Sequence, residues 1–123
     1  MMKKEVAGYL KPAEKALREA GIVKGDDTYE QEYGGRIASF GPSVMLSGLM
    51  PTVAFFSDKE RAPVGAAILK TIEPNATEKT LLDYLKTMSD AQQDQEKNRI
   101  LAAVVALKLV MRTFRKEEKA VQP

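Results

Sequence analysis

A long uncharged run is the feature of this sequence that most constrains its fold. No charged residue lies between Arg36 and Asp58, and the central stretch, residues 41–56, reads GPSVMLSGLMPTVAFF. An uncharged window of about 20 residues has the length that crosses a bilayer. Pro42 and Pro51 interrupt this run, and a spanning helix broken at such positions would leave backbone groups unpaired in lipid. We therefore expect a buried helical hairpin and no membrane segment.

The helix breakers also predict how the run is divided. Pro42 forbids an undistorted helix through its position, so the helix either kinks or restarts there. Gly48 suits the end of a helix, and Pro51 suits the first turn of the next one. We predict two short helical pieces, at about residues 42–47 and 50–57. They would form a kinked apolar hairpin in the middle of the fold.

Helical periodicity accounts for most of the remaining chain, because apolar residues recur at intervals of three and four and sustained alternation is missing. The first helix is predicted from about Met2 to Ala20, with a kink or a late start at Pro12. Further helices are predicted to start at a Thr28–Gln31 capping box, at Pro63 and after a cap at Asn75 or Thr77. A Ser89–Gln92 capping box opens a long last helix from about Asp90 to Lys119. The sequence predicts an all-α fold, a single compact bundle of about six helices forming one domain over residues 1–123. Phe55, Leu49 and Leu107 are expected in its core.

Missing residue types limit the chemistry that the chain can perform. Its 123 residues can bury one core, but they include neither histidine nor cysteine. This argues against a Ser-His-Asp triad, the usual zinc sites and an imidazole base. The adjacent acids Asp26 and Asp27 suit turn chemistry better than metal binding. We expect a protein that is not an enzyme, uses no cofactor, metal or small-molecule substrate, and is located in the cytoplasm.

Charge is distributed unevenly along the chain. Residues 1–24 and 99–123 carry net charges of +3 and +4, whereas residues 25–60 carry −4. Near the C-terminus, basic residues recur at intervals of four, three and four and are flanked by one more: Lys108, Arg112, Arg115 and Lys119, with Lys116 beside them. On a continuous helix they would share one face and form a track for phosphates. The alternative is a basic helix end that complements the helix dipole.

Several short patterns occur in an order typical of one family. They are Tyr33 and Arg36 leading into Pro42, then Met45, Gly48-Leu49 and Ala54-Phe55, with a last helix that ends in Arg112 and Phe114. In these features the chain resembles the small subunit of the type III-B CRISPR effector, the Cmr complex. The family usually has Asn before the Gly-Leu pair and Gly-Gln after it, where this chain has Ser47 and Met50-Pro51, and the family's common tryptophan in the last helix is absent.

The resemblance implies a non-catalytic, all-helical subunit of an RNA-guided, RNA-targeting antiviral complex. Copies of the subunit would stack into a filament beside the other Cmr subunits, and the groove between the filaments would hold guide RNA and target RNA. The predicted RNA-binding residues are those of the basic C-terminal track together with Arg36, Lys3 and Lys4.

Two other interpretations remain open at this point. One is a small helical DNA-binding regulator, with residues 77–98 imitating a helix-turn-helix, although Asp90 and Asp94 begin its recognition helix. The other is the small subunit of a related CRISPR effector.

Overall fold

Six helices and one very small sheet make up the part of the chain that the computed structural model describes, residues 2–117, with only the backbone of Met2. The helices are α1 Met2–Glu19, α2 Gln31–Ser47, α3 Leu49–Phe55, α4 Ala62–Ile72, α5 Leu81–Lys86 and α6 Asp90–Met111. The two strands, β1 Thr28–Tyr29 and β2 Arg115–Lys116, pair in parallel. The predicted all-α fold with about six helices is confirmed. No helix within residues 2–117 is long and apolar enough to cross a membrane.

Helix α6 lies at the centre of the bundle and packs against α1, α2 and α4. Its inward face combines large apolar residues such as Ile100 and Leu107 with Ala102, Ala103 and Ala106, all fully buried. The small alanine side chains allow neighbouring backbones to approach closely, while the large ones fill the spaces between them. The capping box predicted at the start of α6 is confirmed: the side chains of Ser89 and Gln92 each accept a hydrogen bond from the other's backbone amide.

The uncharged run forms the expected hairpin, but its first break is placed differently. Helix α2 continues through Pro42 to Ser47, so the prediction of a separate short helix starting at about residue 42 is wrong. Because Pro42 has no amide N–H, the carbonyl of Ala38 loses its helical hydrogen-bond donor. Both residues are exposed, so water can bond to that carbonyl instead. The break comes at Gly48, whose φ of 94° favours glycine. The hydroxyls of Ser43 and Thr52, 2.9 Å apart, then join α2 to α3.

The prediction that Phe55 lies in the core is wrong, whereas those for Leu49 and Leu107 are confirmed. Phe55 is 59% exposed, and the adjacent Phe56 is 4% exposed and packs edge-on against Phe40 with ring centroids 4.9 Å apart. On α3 the buried residues are Leu49, Thr52 and Val53, and Phe56 continues their 3.6-residue period. Phe55 falls one position out of phase and faces solvent.

Two of the predicted helix caps are wrong. Thr28 lies in β1 and does not cap a helix. Its amide and hydroxyl both donate to the carboxylate of Asp26. Helix α2 instead begins after Glu30, which provides no side-chain cap. Helix α5 begins after Thr80, whose hydroxyl accepts a hydrogen bond from the amide of Asp83, and not after Asn75 or Thr77.

The last helix is shorter than predicted. It ends at Met111, and the following residues turn back to pair with the loop between α1 and α2. The amide of Arg115 donates to the carbonyl of Asp27 (3.1 Å), and the amide of Glu117 donates to that of Tyr29 (2.8 Å). These bonds to a distant loop replace the helical bonds that local periodicity predicted. Lys119, the predicted helix end, lies outside the described residues.

Candidate nucleic-acid interface

The C-terminal basic residues do not form a single helical face, so that part of the prediction is wrong. Lys108 lies in the last turn of α6, Arg112 follows the helix end, and Arg115 and Lys116 belong to β2. All four are exposed. Because the backbone changes direction after Met111, their sequence spacing no longer corresponds to the helical period. Whether these residues bind RNA is a separate question that the helix boundary does not decide.

A continuous basic face does occur, on helix α1. Its members are separated by seven, four and three residues and are all exposed: Lys4, Lys11, Lys15 and Arg18. These intervals keep side chains on one side of a helix. We call this set the α1 stripe. Lys4 and Arg18 are 14 residue steps apart, which corresponds to about 21 Å at ~1.5 Å per residue.

The α1 stripe lies opposite the face of α1 that packs into the core. Val6, Ala13 and Leu17 are buried on that inner face, about half a helical turn away from the basic residues. Lys3 is also exposed but lies to one side of the stripe. Sequence reasoning named Lys3 and Lys4 without recognising the remaining members. The periodicity test that it applied near the C-terminus would have found the stripe on α1.

Arg18 connects the α1 stripe to the C-terminal segment. Its guanidinium carbon lies 5.1 Å from the ring centroid of Phe114, and Nη2 donates to Oδ1 of Asp27 at 2.8 Å. Asp27 also accepts the amide of Arg115 through its backbone carbonyl. The end of the α1 stripe and strand β2 are therefore neighbours. Strand β2 therefore brings Arg115 and Lys116 close to the end of the α1 stripe, and Asp27 contacts both segments.

Internal ion pairs neutralise this surface only in part. Lys15 approaches Glu19 at 3.6 Å, with the lysine side chain 77% exposed, and such exposed pairs contribute little to stability. Lys4 and Lys11 form no ion pair with any residue from 2 to 117. Lys24 donates to Glu117 at 2.7 Å, and this hydrogen bond raises the pKa of Lys24. The stripe thus keeps cations that are available to an external anion.

Within the described residues, Arg36 contacts none of the other predicted RNA-binding residues. Its guanidinium carbon lies 5.1 Å from the ring centroid of Tyr33. The same group donates to the carbonyl of Glu60 at 3.3 Å and approaches the Glu60 carboxylate at 3.8 Å. Through these contacts, Arg36 holds the loop between α3 and α4 against α2.

The acids of the first loop have structural partners. A hydrogen bond from the Thr28 hydroxyl lowers the pKa of Asp26 below its usual value. Asp27 adopts a left-handed φ of 64° and pairs with Arg18. Within residues 2–117, no group of three or more acidic, histidine or cysteine side chains could hold a metal ion.

The helix-turn-helix alternative corresponds to α5, a short turn and α6. Asp90 and Asp94 are exposed in the first turns of α6, where a recognition helix would approach the negatively charged phosphates of DNA. These acids would repel the DNA backbone, which argues against DNA binding by this segment.

Comparison with known proteins decides between the remaining interpretations. A family model described as CRISPR-associated protein (Cas_Cmr5) matches residues 10–119, most of the chain. The chain belongs to the Cas_Cmr5 family. As a Cas_Cmr5 member it is a CRISPR-associated Cmr subunit, which implies association with the other subunits of a Cmr complex. No curated protein and no solved structure matches the chain significantly. The Cas_Cmr5 match includes Lys11, Lys15 and Arg18 of the α1 stripe and the C-terminal cations as far as Lys119.

Proposed function

We propose that this protein is a non-catalytic, cytoplasmic subunit of an RNA-guided, RNA-targeting Cmr effector, where it contacts guide RNA and target RNA. The observation that carries the proposal is the α1 stripe, which lies opposite the buried face of its helix and joins the C-terminal cations at Arg18. The proposed interface comprises the stripe, Lys3 and the exposed residues Lys108, Arg112, Arg115 and Lys116.

Contacts of this kind would be made to phosphates and not to bases. Four cations distributed over about 21 Å follow a charged strand, and phosphate contacts carry no sequence information directly. This suits a subunit that must accept any guide and target. Binding by the isolated protein is expected to be weak, because a few cations must offset the whole cost of association. Aligned copies in an assembly would raise the effective concentration of cations.

The tip of the α2–α3 hairpin supports self-association, the second part of the proposal. Met45 is 69% exposed and Leu46 is 88% exposed, and both lie within the uncharged run. Neighbouring exposed apolar side chains are typical of surfaces that another protein covers. In this proposal the hairpin tip contributes to the stacking of subunits into a filament.

The proposed RNA contact can be tested with matched double variants in the assembled Cmr complex. Lys11→Ala with Lys15→Ala removes two cations from the stripe, whereas Lys86→Ala with Lys97→Ala removes two from α5 and α6. For the stripe variant, the slope of log affinity against log salt concentration should shrink by about 1 to 2 for each copy engaged. The control variant should keep the original slope. An unchanged slope in a stripe variant that folds and assembles normally would overturn the RNA assignment of α1.

The proposed lack of catalysis is tested separately. Nuclease-free preparations of the isolated protein should leave RNA intact in the presence of Mg²⁺ or Mn²⁺, since the acids Asp26 and Asp27 are engaged in structural bonds. Metal-dependent cleavage that disappears when both are changed to Asn would show that the subunit is an enzyme.

A further inference from the structure

A pocket between α3, α4 and α5 is lined by none of the residues of the proposed RNA interface, although its Glu19 approaches Lys15 of the α1 stripe at 3.6 Å. It has a volume of about 360 Å³, near the lower end of the range of ligand pockets, ~300–1,000 Å³. Its floor contains the buried side chains Phe40, Val53, Phe56 and Leu81. An apolar floor of this kind suits a large apolar group of a ligand or partner.

The rim of this pocket is basic. Lys59, Lys70 and Lys79 line it, and its one acid, Glu19, lies 3.5 Å from Lys70. Lys59 and Lys79 are exposed and form no ion pair with any described residue. The rim therefore carries two uncompensated positive charges above an apolar floor.

The nearest acids in the loop between α3 and α4 do not neutralise Lys59. Asp58 pairs with Arg61, and Glu60 approaches Arg36. The acids adjacent to Lys59 in sequence are thus held by other partners, and its ammonium group remains available. Complementary charge on a partner would guide association and fix orientation.

An exposed aromatic ring lies next to a side chain of the pocket floor. The ring of Phe56 in the floor lies 5.7 Å from the ring of Phe55, which is 59% exposed. The guanidinium carbon of Arg61 lies 4.5 Å from the Phe55 centroid. A small molecule confined to the pocket would leave Phe55 in water, whereas a polypeptide can fill the pocket and cover Phe55 as well.

We infer that this pocket docks an acidic, apolar segment from another subunit of the Cmr complex. A large aliphatic or aromatic side chain of that segment enters above Phe56, and neighbouring carboxylates pair with Lys59 and Lys79. Buried apolar anchors surrounded by polar contacts are the usual arrangement of binding hot spots. The inference rests on the part of the proposed function that places the protein in an assembly, and it does not depend on the RNA contact.

Site-specific cross-linking in the purified complex tests the identity of the occupant. Leu82, half-buried in the wall of the pocket, is replaced by a diazirine analogue of leucine, and the cross-linked peptides are identified by mass spectrometry. The expected product joins position 82 to a different subunit, at a segment with Asp or Glu close to a large apolar residue. Cross-links to a second copy of this chain, to a segment without acids, or to no other subunit would overturn the inference.

Binding of the cross-linked segment, made as a synthetic peptide, tests the two parts of the site by calorimetry. Ala66→Trp fills the pocket without changing its charge and should weaken binding roughly tenfold or more. Lys59→Ala with Lys79→Ala should weaken binding less and reduce its salt dependence. The controls, Ala91→Trp and Lys86→Ala, change exposed residues elsewhere and should have no effect. Normal peptide affinity in folded Ala66→Trp protein would overturn the inference. A fatty acid that co-purifies with the unaltered protein and is lost only from the Ala66→Trp variant would also overturn it.

The same variants separate this inference from the proposed RNA contact. Ala66→Trp, added to a complex that still assembles, should leave the salt slope of RNA binding unchanged, whereas the α1-stripe variant should reduce it. Unchanged peptide binding together with a reduced RNA slope in the stripe variant would refute docking at this pocket and leave the RNA contact supported.

Discussion

Replacing Arg99 should destabilise the protein more than replacing any exposed lysine, because its guanidinium is the central group of a network between helices. Arg99 lies on α6 and donates to Glu96 in the preceding turn at 2.8 and 2.9 Å. It also donates to the carbonyl of Ile72 at 2.6 Å, to Glu73 at 2.8 Å and to the Tyr9 hydroxyl at 3.2 Å. One side chain therefore links α6 to α1 and to the end of α4.

The magnitude of this effect depends mainly on Glu96. In the variant Arg99→Met, the carboxylate of Glu73 can return to water, since the Glu73 side chain is 41% exposed. The Glu96 side chain is only 10% exposed and would keep its charge with the Tyr84 hydroxyl as its remaining partner. Leaving a buried charge without its counter-ion costs about 3–5 kcal/mol. Because Arg99 is itself partly exposed, we expect a loss of about 2–4 kcal/mol.

Urea denaturation of three variants measures this loss. Arg99→Met alone should reduce the free energy of unfolding with an unchanged m-value, and Lys97→Met should change it by less than about 0.5 kcal/mol. The double variant Arg99→Met with Glu96→Met should recover much of the loss, because no uncompensated charge then remains. A loss below about 1 kcal/mol for Arg99→Met would refute the reasoning. So would a double variant whose loss equals the sum of the two single losses.

Three further predictions concern other parts of the molecule. Phe56→Ala should lower the free energy of unfolding by about 3–5 kcal/mol and Phe55→Ala by far less; equal losses in urea denaturation would contradict the assigned phase of α3. Burial and a hydrogen-bonded carboxylate raise the pKa of Tyr84 from 10.0 to about 12, so the folded state retains a proton that the unfolded state releases. Stability should therefore fall as pH rises through this interval, and a decline of the same size in Tyr84→Phe protein would contradict that assignment. Arg112→Ala with Arg115→Ala should leave fold and assembly intact and reduce the salt slope of RNA binding; an unchanged slope would limit the interface to α1.

Local signals in the sequence were sufficient where structure is decided locally. The Ser89–Gln92 capping box and the break at Gly48 depend on neighbouring residues and were both predicted correctly. The position of Phe55 required the phase of a seven-residue helix, and a shift of one residue exchanges a buried side chain for an exposed one. The uncharged run predicted burial of the segment, but it contained no charge that could mark its solvent-facing side.

Other features depend on contacts between distant parts of the chain, and local patterns could not reveal them. The apolar period of α6 continues to Phe114 without a breaker, so the sequence favoured a longer helix. The helix ends because β2 pairs with β1, which lies more than eighty residues earlier in the chain. The network of Arg99 is similar, since its partners Tyr9 and Glu73 precede it by 90 and 26 residues.

The early end of α6 changes where the C-terminal cations of the candidate interface lie, but it does not change their number. An extended helix would carry Arg115 and Lys116 away from the bundle along the axis of α6. Pairing with β1 instead places β2 against the loop that holds Asp27, beside Arg18 at the end of the α1 stripe. Cations grouped on one surface reinforce each other's field toward an approaching anion. The strand pairing therefore brings together basic residues from opposite ends of the sequence, and in the proposed function RNA would contact both.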